Sequence, residues 1–430
     1  MDRRVLITCL VFALVFCLVL SLLGILGAGF LIRDSESTQG ETTVQEPTSQ
    51  EPLPSPLGGD EDSNPNDPAA SAPLPPATLA EMGLIQRQVV QERGLDPSGE
   101  FTRVLFSPAQ LHQHILDDFL LDYTAEEMHE DGIVLEAFGL LNADFDLYNF
   151  YLDLLSENIA GFYDNETKEM VVVQGSKFGG IERLTYAHEY THALQDQNFD
   201  IQDGLQYSEE ACENESERCA ALQALLEGDA SLSEFNWFMN NATTEDRTDI
   251  FGFSDTFESP VMDSSPAFIS RDFLFPYEEG LAFVRYLYDR GGWEAVDLAY
   301  ANPPVSTEQI LHPQKYPLDS PVPVLLPDLS MQIGQGWVDI EQDVMGEWYT
   351  YLILAHGLQE DARVKDEVAA DAAEGWQGDA YTVLYNPEQD ATVMVLRTFW
   401  ESPQEAKEFR DSFLPYAGDR FGKPQENQQD

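Results

Sequence analysis

The sequence predicts an α+β fold: a mostly helical main domain with a small β-hairpin, then a small C-terminal α+β subdomain, all behind an N-terminal transmembrane helix and a disordered stalk. Three patterns predict it. Apolar residues recur at helical spacing through most of residues 79–325, and two β-rich runs flank a polar turn in GFYDNETKEMVVV. Beyond Pro323 the texture changes to a helix, two strands and a further helix. With 430 residues, 43% of them hydrophobic and 11% aromatic, the chain can bury a substantial core.

From Val5 to Ile32 no charge interrupts the apolar run, which exceeds the roughly 20 residues a helix needs to cross a bilayer. Arg3 and Arg4 precede it and an acidic stretch follows Arg33, so the positive-inside rule leaves the amino terminus in the cytoplasm and the bulk of the chain outside. No small-residue cleavage site follows the run. Residues 1–33 are therefore expected to be a short cytoplasmic stub and a single-pass anchor, with a secreted form after signal cleavage as the alternative. Residues 34–78 are rich in Ser, Thr, Glu, Pro, Gln and Gly. Such a composition has little to bury against the entropy of folding, so this stretch reads as a disordered linker.

The folded part divides into residues 79–325 and 326–430. Ser107, Pro108 and Gln110 form a capping-box signature ahead of Leu111, Ile115 and Phe119. His112 and His114 in that helix lie two residues apart, face different sides and read as surface histidines. Further helices are predicted over 144–157, 184–195, 219–239 and 277–289. Gly161–Tyr163 and Met170–Val173 form the hairpin. In the last region the pattern gives a helix over 346–356, strands over 381–385 and 392–400, and a helix over 403–413. Cys212 and Cys219 flank ENESER in the exported part, where an oxidising compartment favours a disulfide. Cys9 and Cys17 fall in the apolar run and read as small apolar fillers.

Charge sets one exclusion. Against 77 Asp and Glu stand 22 Lys and Arg, a formal net charge of -55. A nucleic-acid partner is excluded on that balance, and the acidity itself reads as a heavily hydrated surface.

The chemistry concentrates in LTYAHEYTHALQDQ. His188 and His192, four residues apart on a helix, stack on one face and can present two imidazole nitrogens to one zinc ion. Glu189 is placed to act as general base on a water activated by that ion, the HExxH arrangement. Such a centre needs a third protein ligand, and Glu227 in ALQALLEGDASLSEF is the candidate, with Asp229 or another carboxylate as alternatives. Ala220, Ala224, Gly228 and Ser231 give that second helix a small-residue face, expected to let it approach the HExxH helix closely. Asp196, four residues after His192, is a candidate to receive the other imidazole N–H. The MVVV run would suit a peptide lying along its edge as an added strand, and reads equally well as an ordinary core strand.

HEYTHALQD resembles the active-site helix of thermolysin-like gluzincins, and Glu227 agrees with the third ligand of that family. The runs AGFYDNETKEMVVV, HEYTHALQDQNFD, LLEGDA, STEQILHPQKY and GWQGDAY are similar to a poorly characterised group of exported bacterial proteins with a gluzincin-type core, over most of residues 82–418. The resemblance implies a zincin-like catalytic domain and a zinc-dependent peptidase acting on peptide or protein substrates. The metzincin variant is excluded by Gln195 and Asn198. An oxyanion donor is also needed: His312 is the first candidate, with Tyr316 and Tyr277 as alternatives. Two competing readings are a catalytically silent, metal-stabilised binding or adhesion module on a stalk, and a stalked sensor with no metal. Substrate preference and oligomeric state are not legible.

Overall fold

The computed structural model describes residues 74–120, 125–142, 144–174, 177–213, 215–327 and 333–422. The expected membrane helix and all but the last residues of the expected stalk lie outside them. Among the described residues no helix is long and apolar enough to cross a membrane. The α+β class is observed, with helices dominating and two three-stranded sheets.

Helix α1 (Pro76–Arg93) begins inside the stretch expected to be linker, with Pro near its first position, and stops at Gly94, whose φ of 83° is the left-handed cap that glycine adopts without cost. Met82, Ile85, Val89 and Arg93 form its buried face. In α2 (Pro108–His114) the capping box forms as the sequence predicts: Ser107 Oγ accepts from Gln110 N and Gln110 Oε1 accepts from Ser107 N. A π-turn over Ile115–Phe119 follows, then α3 (Ala125–Phe138) and α4 (Leu147–Asn158), the latter capped by Asp146.

The predicted hairpin is present as β2 (Gly161–Asp164) and β3 (Glu169–Val173), paired antiparallel. A strand not expected from the sequence, β1 (Thr102–Phe106), pairs parallel with β3 and gives the order β1-β3-β2. Only Val104 of β1 is buried, so the run carries little of the alternation that marks a strand. Of the two readings of the MVVV run, the core strand is the one observed. Met170–Val173 is the central strand, its backbone bonded on both sides, so an added peptide strand has no edge to pair with there.

Two long helices follow, α5 (Gly180–Phe199) and α6 (Ser216–Asn241), each extending at both ends beyond the range the apolar pattern predicts. The expected disulfide Cys212–Cys219 is formed and ties the turn before α6 to its first residues. Helix α7 (Thr244–Ser254) and the 35-residue α8 (Ala267–Ala301) come next, the latter interrupted at Gly292. The small-residue face of α6 was expected to meet α5, and it meets α8 instead: a Cβ added at Gly228 would stand 2.1 Å from Gly280 O, and one added at Gly280 would stand 2.2 Å from Ala224 O. The two backbones touch, and α6 is left with its opposite, polar side for α5.

After α9 (Thr307–Leu311) come β4 (Val338–Asp343), α10 (Gly346–His356), α11 (Asp366–Ala373), β5 (Trp376–Asn386), β6 (Ala391–Trp400) and α12 (Pro403–Phe421). The sheet is antiparallel in the order β4-β5-β6. Strand β4 and helix α11 were not anticipated. This region shares a core with the first: Ile353, Tyr381, Val383 and Tyr416 pack in one cluster with Leu111, Phe138 and Leu154. Tyr416 OH donates to Phe138 O at 2.9 Å.

The backbone contact between α6 and α8 makes a direct prediction. Gly280→Ala should destabilise the protein by about 1–3 kcal/mol or more, since the atom it would meet is backbone and cannot rotate away. Urea denaturation monitored by far-UV circular dichroism measures it, and an unchanged midpoint would refute the packing account.

Candidate metal centre

Helix α5 is buried on nearly all sides, by α1, α6, α7 and the first sheet. Its start is set by Glu182 Oε2, which accepts from Gly179 N at 2.9 Å, and by Asp249 Oδ2, which accepts from Gly180 N at 3.2 Å. Carboxylates at a helix N-terminus meet the unpaired N–H groups and the positive end of the dipole. Gly161 of β2 presses onto the helix, with Thr185 Cγ2 only 2.6 Å from where its Cβ would be. Thr191 Oγ1, 3.0 Å from Ser233 Oγ, joins α5 to α6 one turn from the histidines.

His188, His192 and Glu227 converge, each offering a ligand atom within 4.8 Å of the others. Glu227 Oε2 is 3.2 Å from His188 Nε2 and 3.4 Å from His192 Nε2. A tetrahedral ion with bonds of about 2.0–2.1 Å needs ligand atoms roughly 3.3 Å apart, and both separations from Glu227 are close to that. His188 is fully buried and Glu227 nearly so, while the His192 side chain keeps 14% of its surface exposed. One side of the cluster therefore faces solvent. Glu189 is 2% exposed and close enough to His192 to act on its charge. Asp229, the alternative ligand, is turned away toward Arg93.

The nitrogens that face away from the cluster have partners. His188 Nδ1 lies 2.8 Å from Glu234 Oε2, and His192 Nδ1 lies 2.8 Å from Gln195 Oε1. Both imidazoles thus carry a proton on Nδ1 and present Nε2 inward. The expectation for Asp196 is corrected: its Oδ2 accepts from Tyr163 OH at 2.9 Å and Lys168 Nζ at 2.6 Å, and Gln195 takes the place it was given. Both supporting residues sit at legible spacings. Gln195 is three residues after His192 and Glu234 is seven after Glu227, each on the same helical face as the residue it serves or continues.

Burial alone would push the His188 imidazole pKa down, but Glu227 and Glu234 raise it to about 10. His192 is raised as well, against burial, by Glu227. Burial would lift Glu227, yet the two imidazoles hold it down at about 2. The cluster therefore favours protonated imidazoles beside an ionised Glu227, and an ion entering it would have to displace protons.

His312 ends α9, with Nε2 2.7 Å from Glu347 Oε1 of α10. Burial opposes its charged form, and Glu347 more than offsets this, so its pKa is raised. Among the described residues no hydrogen bond or ion pair joins it to the cluster. Tyr316 OH is committed to Asn302 O at 2.7 Å, and Tyr277 is buried at 4% exposure. In a second acidic group, Glu308, Asp319 and Glu401, Lys315 Nζ bridges two members, 2.7 Å from Glu308 and 3.0 Å from Glu401.

Residues 333–430 match the family model of a domain of unknown function, DUF8575. That stretch contains none of the cluster residues. No curated protein and no solved structure matches the chain.

The titrations predict how metal-free protein responds to pH. His188 is raised above its unfolded value of 6.5, so the stability it contributes is full below about pH 6.5 and is lost as pH rises toward 10. Glu227 is depressed, so its contribution is full above about 4.5 and is lost as pH falls toward 2. Glu217, raised by burial to about 8, adds to the alkaline loss because the native state favours its protonated form. Chelator-treated protein should have a higher urea midpoint near pH 6 than near pH 9. A flat or rising profile would show that the cluster is not charged as described.

Proposed function

We propose that this chain is a zinc-dependent metallopeptidase of gluzincin type, anchored in the membrane through its N-terminal apolar run with the zincin-like catalytic domain outside the cytoplasm. The observation that carries the reading is the convergence of His188, His192 and Glu227, with Nε2 and carboxylate atoms 3.2 and 3.4 Å apart beside Glu189. These three residues would hold the ion. A bound zinc supplies Lewis acidity, polarising a peptide carbonyl and bringing the pKa of a water toward about 7.

Glu189 then accepts the proton of the attacking water and returns it to the departing amine, as a general base and acid. Its carboxylate is buried beside His192, held out of bulk solvent at the cluster. The exposed edge of His192 marks the side from which substrate and water reach the centre. For the tetrahedral oxygen we assign His312 as donor. Its Nε2 is engaged by Glu347, its charged form is favoured, and its Nδ1 has no hydrogen-bond partner among the described residues.

Purified protein should contain one zinc per chain. Glu189→Gln should keep that zinc and lose peptide cleavage by a factor of about 10²–10⁴. Zinc retention together with undiminished cleavage would remove Glu189 from the mechanism, while zinc-replete wild type that cleaves nothing would favour the binding module. His312→Ala should keep the zinc and lower kcat by about 10²–10³ with a smaller change in KM. Unchanged kcat would reassign the oxyanion donor.

A further inference from the structure

Arg93, Gln195 and Asp229 are all fully buried, on α1, α5 and α6, and none belongs to the metal cluster. Removing an arginine and an aspartate from water costs several kcal/mol per ion, which excellent geometry must offset. Here the geometry is complete on the Asp229 side. Its Oδ1 accepts from Arg93 Nε at 2.6 Å, and its Oδ2 accepts from Arg93 Nη2 at 3.0 Å, Gln195 Nε2 at 3.0 Å and Tyr300 OH at 2.7 Å. Arg93 is held in turn by Asp297 at 2.7 Å and by the Trp293 ring, 4.4 Å from its centroid.

The consequence falls on Gln195. Its amide nitrogen donates to Asp229 Oδ2 and to Leu226 O, at 3.0 and 2.9 Å. Neither partner can donate back, so the amide has one permitted orientation, with Oε1 toward His192 Nδ1. That oxygen can only accept. His192 must then carry its proton on Nδ1 and leave Nε2 free for an ion.

We propose that Gln195 is a positioning residue for His192, and that Asp229, clamped by Arg93 of α1, sets the amide so that zinc affinity depends on an ion pair outside the cluster. The inference rests on the metal reading above. Through it α1, the first helix among the described residues, is coupled to the metal centre. Asp229→Ala removes the acceptor that Arg93 holds against the Gln195 amide and leaves Leu226 O as the one remaining acceptor of the two that orient it. Because the clamp reaches His192 only through that amide, its loss should have no further effect on zinc once Gln195 itself is replaced.

The test measures the zinc Kd of the full chain by competition with a chromophoric chelator, together with the thermal midpoint of the metal-free form. Gln195→Ala should weaken zinc by about 10–100-fold and also lower the metal-free midpoint, because it leaves buried groups unpaired. Tyr416→Phe, which loses a buried hydrogen bond remote from the cluster, should lower the midpoint and keep wild-type zinc affinity, so destabilisation by itself does not account for the loss. Asp229→Ala should weaken zinc by a smaller factor, and the double variant should bind no more weakly than Gln195→Ala alone. Gln195→Ala or Asp229→Ala with wild-type affinity, or a double variant in which the two losses add, overturns the proposal. Should Asp229→Ala fail to fold, Gln195→Ala decides alone. Wild-type protein that takes up no stoichiometric zinc sinks the metal reading itself, an outcome distinct from wild type and Gln195→Ala binding alike.

Discussion

Placing two imidazoles against a carboxylate in a largely buried site favours protein partners for the outward-facing polar atoms around them. An unpaired buried polar group costs about 1–3 kcal/mol, and more if charged. This preference organises the helices around α5. Glu234 answers His188, Gln195 answers His192, and Asp229 with Tyr300 and Arg93 answers Gln195. Each partner comes from a different turn or helix, so the polar network also fixes how α1, α5, α6 and α8 lie against one another.

The arrangement requires α6 to serve two neighbours with opposite demands. Toward α8 it offers Ala224 and Gly228, and the backbones meet at Gly280. Toward α5 it offers Glu227, Ser233 and Glu234, whose side chains reach across to the histidines and Thr191. Close backbone contact on one side makes the distance on the other side short enough for carboxylates to bridge it. Packing density and site geometry are in this sense one constraint, since an interior at crystal-like density transmits a shift on one face of a helix to the other.

The second sheet and its helices belong to the same body by their core, not by the cluster. Tyr381 stacks edge-on against Phe138 at 4.9 Å, and Ile353, Leu354 and Tyr416 continue the packing of α3 and α4. Several polar contacts span the two parts, among them His312, which ends α9 and pairs with Glu347 of α10, and Lys315, which bonds Glu401. Any motion between the parts must therefore either carry these pairs along or break them.

Local pattern was enough to determine much of this. The i, i+4 spacing of His188 and His192 puts both on one face whatever surrounds the helix, the capping box at Ser107 depends on three residues, and Cys212 and Cys219 lie too near each other to miss. Those features are set by contacts within a turn or a loop. What the tertiary structure alone decided are the pairings across distance: Arg93 with Asp229, 136 residues away, β1 beside β3, and the face of α6 given to α8. Periodicity states which side of a helix is apolar, small or charged, but not which neighbour that side will meet. Asp196 and Gln195 show the limit, since both were at suitable spacing from His192 and only the packing of Tyr163 and Lys168 against one left the other to hold the imidazole.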